Sequence, residues 1–166
     1  MALLDIRGFA RSVSGNRAFW MVTLRTEIDI AASAACVWDV LTDVAAYPEW
    51  NPFIRRIDGV LAPRARLLVR IQPPGGRAMT FRPTVLRVEP ERELAWRGRT
   101  LVPGLFDGEH HFRLEPRSVD SVRFVHGEHF SGVLVPLLRR SLETTTRQGF
   151  EAMNVALKTR AERTRG

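Results

Sequence analysis

A chain of 166 residues, 45% apolar and 26% charged, is one globular domain by size, with enough apolar residues for a real core. Its single cysteine, Cys36, excludes an internal disulfide and fits a reducing, cytoplasmic setting, and no apolar run approaches the roughly 20 residues that span a bilayer. The net charge of +7 is carried by arginines spread along nearly every element, with Lys158 the only lysine, which reads as a solvated basic surface and argues against a nucleic-acid patch.

Residues 1–20 carry Arg7, Arg11 and Arg17 but lack the apolar core of a secretory signal. They are expected to be a loosely ordered extension, with a single domain running from Met21 to Arg163. Val22 to Ile30 alternates, with Val22, Leu24, Thr26, Ile28 and Ile30 on one face, as in a half-buried antiparallel strand. Ser33 is placed to cap a helix in which Val37, Val40, Leu41 and Val44 keep helical spacing and Trp38 widens the dry side. Pro48 and Pro52 prevent a long helix and bracket Tyr47, Trp50 and Phe53 in a turn.

Six further strands are predicted. Phe53–Val60 alternates imperfectly, which points to a bulge, and Arg66–Gln72 alternates cleanly. Arg77–Glu89 contains Pro83, which argues for an edge or a break there. Glu93–Leu101 places Leu94, Trp96 and Gly98 on one face. Phe106–Glu115 and Val122–Phe130 form a hairpin. With its turn centred near Ser118, His110 faces His126, Phe112 faces Phe124 and Gly108 faces Glu128. From Pro136 to about Glu162 the chain reads as one helix. Its dry stripe is Leu138, Leu142, Thr146, Gly149, Phe150, Met153, Ala156 and Leu157, and its wet stripe includes Asn154. Gly149 either tolerates its place in the helix or leaves room for a neighbour.

The expected architecture is α+β: a curled seven-stranded antiparallel sheet gripping a long C-terminal helix, with two short helices after the first strand and an internal cavity. The runs VWDVLTDVAAYPEWNPFI, ELAWRG, PGLFDGEHHFRLEP and HFSGVLVPLL resemble the START/Bet v 1-like (SRPBCC) superfamily, within it the bacterial polyketide cyclase/dehydrase-like group. The resemblance covers about Met21 to Arg163. It implies the helix-grip fold and a small hydrophobic ligand such as a lipid or polyketide. Some members of the group catalyse cyclisation or dehydration, and others only bind.

Three polar residues, His110, His126 and Glu128, fall on otherwise apolar inward faces, while His111 and His129 point outward. Three readings stay open for them: orienting a bound ligand, satisfying one another structurally, or acting in catalysis or metal binding. Burial disfavours a charged carboxylate, so Glu128 with His110 or His126 could move a proton at a carbon next to a carbonyl. The aromatic residues Trp38, Tyr47, Trp50, Phe53, Phe81, Trp96, Phe112, Phe124 and Phe150 are expected to line the core and cavity, with Tyr47 and Trp50 at its mouth. Leu142, Thr146, Gly149 and Met153 complete the lining from the final helix. Arg82 reads as outward, or as a partner of Glu128 if Pro83 inverts the strand. No metal, cofactor, membrane insertion or nucleic-acid partner is expected. The function favoured is binding of a small apolar molecule. A cyclase/dehydratase-type enzyme and a protein- or ribosome-interaction module are the alternatives.

Overall fold

The computed structural model describes residues 20–99, 102 and 104–164. The expected extension, residues 1–20, lies outside them apart from Trp20. The first strand, β1 (Met21–Ile30), buries alternate residues along nearly its whole length. Helix α1 (Ala34–Thr42) begins where Ser33 Oγ accepts the Cys36 N–H at 3.2 Å, and it buries Val37, Trp38, Val40 and Leu41. A 3₁₀ turn (Val44–Ala46) and the short α2 (Tyr47–Trp50) follow, with Pro48 in the first turn of α2. Asn51 ends this unit. Its Oδ1 accepts the backbone N–H groups of Phe53 and Ile54 at 3.0 and 2.8 Å and turns the chain into β2 (Ile54–Asp58).

The remaining strands are β3 (Leu68–Ile71), β4 (Met79–Phe81), β5 (Thr84–Glu89), β6 (Glu93–Arg99), β7 (Asp107–Ser118) and β8 (Ser121–Ser131). All pairings are antiparallel, in the orders β1-β8-β7-β6-β5 and β2-β3-β4. Eight strands thus stand among the described residues in place of the expected seven, because the run 77–89 splits at Arg82–Pro83. Proline has no N–H to give a ladder, and the strand breaks where it falls. The two sheets are still stitched at the break. Val85 N–H donates to the Ala65 carbonyl and Leu67 N–H to that of Pro83, each at 2.9 Å, and Arg66 bridges Thr84. The bulge expected in the second strand lies between Ile54 and Arg56.

The hairpin corrects one expectation. Its turn is Val119–Asp120 and a bulge interrupts the ladder between Pro116 and Ser118, so His110 pairs with Glu128, Phe112 with His126 and Gly108 with Phe130. The expected register was off by two residues. Side-chain facing repeats every two residues, so both registers put the same set inward, and alternation cannot separate them.

After β8 the chain is helical from Val135 to Thr164: α3 (Val135–Ser141), a π turn (Leu142–Thr146) and α4 (Arg147–Thr164). The π turn shifts the buried stripe. Leu138 is partly exposed, and α4 buries Gly149, Phe150, Met153, Asn154, Leu157 and Ala161. This helix also covers the open edge of β1. Arg147 and Lys158 donate to the carbonyls of Arg25 and Asp29 at 3.0 and 2.6 Å, and Glu162 accepts the Ala31 N–H at 2.7 Å. On the convex face, Arg87, Arg97 and Arg113 pair with Glu93 and Glu109. The core lies between the concave face, α1 and α4.

Candidate functional site

The inward faces of β7 and β8 bring His110, His126 and Glu128 together, as expected. Their contact is direct. Glu128 Oε2 lies 3.1 Å from His110 Nδ1, and His110 Nε2 lies 2.9 Å from His126 Nε2. Two residues that the sequence reading did not assign to the site extend the chain of contacts. His126 Nδ1 is 2.9 Å from Asn154 Oδ1 on α4, and Asn154 Nδ2 donates to Thr26 Oγ1 on β1 at 2.9 Å. Thr26 Oγ1 in turn donates to the His126 carbonyl at 3.2 Å. Five side chains from four elements form one polar line across an apolar interior.

Burial grades along this line. His126 is fully buried, Asn154 is 3% exposed, and the Glu128 side chain is 18% exposed. Glu128 is therefore the end that solvent reaches. Its carboxyl lies over Gly108, where a Cβ would overlap Glu128 Oε1. Burial, helped by the neighbouring His110, pushes the His126 pKa well down and keeps the ring neutral. Flat rings hold the two imidazoles in place. Phe150 stacks on His126 at 3.8 Å between centroids, and Trp96 stacks on His110 at 5.1 Å.

Aromatic rings pack closely around this line. Phe53 sits in the notch at Gly149, where a Cβ would overlap its ring, and meets Phe150 edge-on at 5.6 Å. The glycine thus makes room for a side chain of this same protein. Trp38, Tyr47, Phe53, Trp96, Phe112, Phe124, Leu142, Phe150 and Met153 are all buried, and Thr146 is half-buried in the π turn.

Three expected cavity residues lie elsewhere or face differently. Phe81 is 40% exposed on the short strand β4, on the far side of the Pro83 break. Tyr47 is fully buried, with its hydroxyl donating to the Leu41 carbonyl at 2.7 Å, so its polar atom is satisfied inside. Trp50 is half-buried and lines a surface groove of about 460 Å³ with Glu49 and Arg160, away from the histidines. A second groove, of about 230 Å³, runs over the convex side past Arg97 and His129. Neither groove touches His110 or Glu128.

Arg82 is exposed. His111 is on the outer face as expected, yet only 7% exposed, and burial lowers its pKa to about 4. It stacks on His129, whose Nδ1 lies 3.0 Å from Thr23 Oγ1. No group of three or more His, Cys, Asp or Glu residues among the described residues is arranged to hold a metal ion. No helix among them is long and apolar enough to cross a membrane.

Two signals in the sequence could have found the missed residues. Asn154 is four residues after Phe150 and three before Leu157, in the middle of the dry stripe. Thr26 is on the dry face of β1, between Leu24 and Ile28.

A curled antiparallel sheet closed by a long C-terminal helix defines the helix-grip class. Solved structures similar in fold bear this out. The Zhui aromatase/cyclase from Streptomyces sp. R1128 superposes with a TM-score of 0.72 at 20% identity, over 88% of this chain and 96% of that one. A START superfamily protein from Mycobacterium smegmatis gives 0.62 at 21%, over 86% and 98%. A norcoclaurine synthase variant from Thalictrum flavum gives 0.67 at 15%, over 88% and 97%. No curated protein matches the sequence. Residues 21–162 match the family model described as polyketide cyclase / dehydrase and lipid transport, and the chain belongs to that family.

Proposed function

We propose that the protein binds a small apolar molecule bearing a carbonyl or similar polar group, with that group at the Glu128 end of the polar line. The observation that carries this reading is the line itself. Hydrogen-bonding groups are set in an apolar interior, and one end reaches solvent. A mostly apolar site with a few fixed polar groups is the usual form of a small-molecule site. Membership of a family described by cyclisation, dehydration and lipid transport supports a ligand-binding or cyclase role. Because Phe53 and Phe150 fill the interior beside His126, a ligand larger than Glu128 itself can accommodate must displace the Phe53 ring from the Gly149 notch. The test is an NMR titration of the whole protein with acetylnaphthalene, a fused-ring ketone. Binding at this site shifts the ring signals of His110 and Phe53. A titration that leaves both unchanged, together with native mass spectra free of any co-purified molecule, overturns the reading.

A second reading, acid–base catalysis, is favoured by the 3.1 Å contact between His110 and Glu128. A carboxyl and an imidazole that share a hydrogen bond can give and take a proton at a bound carbonyl compound. On this reading Glu128→Gln lowers turnover of a poly-β-ketone by about 10²–10⁴-fold while ligand binding stays within a few-fold. Equal turnover in the variant rules out Glu128 as the acid–base group and leaves binding standing.

A further inference from the structure

The polar line has a direction, and it can be read from its inner end. The His126 carbonyl can only accept, so the single Thr26 hydrogen goes to it. Thr26 Oγ1 must then accept from Asn154, which turns the Asn154 NH₂ toward β1 and its Oδ1 toward His126. An acceptor at Oδ1 requires a proton on His126 Nδ1. A neutral imidazole with that proton has a bare Nε2, which accepts. His110 Nε2 must therefore carry a proton and donate at 2.9 Å. What remains open is His110 Nδ1. It either accepts from a protonated Glu128 or donates to the carboxylate.

We propose that Asn154 and Thr26 are positioning residues that fix the direction of hydrogen bonding through the histidine pair, so that the one mobile proton of the site lies between His110 Nδ1 and Glu128. For its chemical consequence this rests on the acid–base reading above. The pair gives that proton to a ligand oxygen as an acid: the bond holding it to Glu128 or His110 breaks as the ligand O–H bond forms. The bare pair then takes a proton from a ligand C–H as a base. Passing the His110 Nε2 proton inward would charge His126, which burial and the neighbouring His110 oppose, so the proton stays at the His110–Glu128 end. The stacked neighbours, Phe150 on His126 and Trp96 on His110, bring no titratable group of their own. His111, on the outer face, is the other ionisable group that acts on the pair.

The experiment is ring-nitrogen NMR on isotope-labelled, ligand-free protein. The expected spectrum has His126 protonated at Nδ1 and bare at Nε2 from about pH 5 to about pH 8, and His110 protonated at Nε2 throughout. Thr26→Val removes the hydroxyl that orients Asn154, and the His126 signals should lose their single-tautomer pattern. Thr26→Ser should restore it, which a merely structural role for the threonine would not require. A proton on His126 Nε2 in the wild-type protein overturns the proposal, as does a folded Thr26→Val variant with the wild-type pattern. If Thr26→Val does not fold, the wild-type spectrum decides alone. Because no ligand is added, failure here leaves the binding reading untouched, and failure of the ketone titration leaves the tautomers standing.

Discussion

At the scale of single residues, the site turns on groups whose polarity conflicts with their place in the pattern. Asn154 occupies the centre of a dry stripe, and His110, His126 and Glu128 alternate with core residues on β7 and β8. A buried polar group without a partner costs about 1–3 kcal/mol, so each of these demands another. Asn154→Leu removes the acceptor of His126 Nδ1–H and the donor to Thr26 Oγ1 at once. It should lower stability by about 1–3 kcal/mol or more in urea unfolding, although leucine is the more apolar residue. A neutral or stabilising effect would mean that the line is not formed. The three inward polar residues were legible because alternation fixes facing on a strand. Asn154 was not, because an amide on a helix reads as wet until something across from it needs a partner.

At the scale of elements, the final helix is matched to the strand segment before it. Gly149 gives up helix propensity worth about 1 kcal/mol so that the Phe53 ring can enter. Gly149→Ala should therefore destabilise by about 1–3 kcal/mol in thermal or urea unfolding, against the sign that propensity alone predicts. Pairing it with Phe53→Leu should recover most of the loss, and a stabilised single variant would show the ring free to move elsewhere. The hairpin teaches a related lesson. Its inward set could be read from alternation, yet its register could not, since a shift of two residues preserves every facing. Only the two-residue turn at Val119–Asp120, together with the bulge between Pro116 and Ser118, decides that His110 meets Glu128. The π turn at Leu142–Thr146 likewise has no mark in the sequence, and it moves Leu138 off the stripe that Leu142 joins.

At the scale of the whole molecule, the sheet carries a buried histidine on each face. His126 is held neutral on the concave side and His111 on the convex side, both chiefly by burial. In the unfolded chain both take up protons near about pH 6.5. Their folded values are lower, so the stability they bring is complete above about 6.5 and is lost as pH falls. Each contributes up to about 1.4 kcal/mol per pH unit below that point. The loss from His111 levels off near its folded value of about 4. Urea midpoints should fall steadily from about pH 7 to about pH 5, a range above the one in which Glu109, held low by its hydrogen bond from Arg97, begins to titrate. His111→Asn should roughly halve the slope. A flat profile over that range would mean that neither ring is held neutral by the fold.

The sequence by itself determined the class of this protein. Period-two strands, a capped first helix and one long amphipathic helix give the elements, because facing and hydrophobic period are local properties, and the family resemblance of those runs gives their assembly into a sheet gripping a helix. It also determined that three polar side chains point inward. The tertiary structure alone decided that these three join Asn154 and Thr26 in one line, and that Phe53 fills the notch at Gly149. Both depend on distances between elements far apart in the chain, set by the turn at Val119–Asp120 with its neighbouring bulge and by how α4 lies across β1, and no periodicity encodes them.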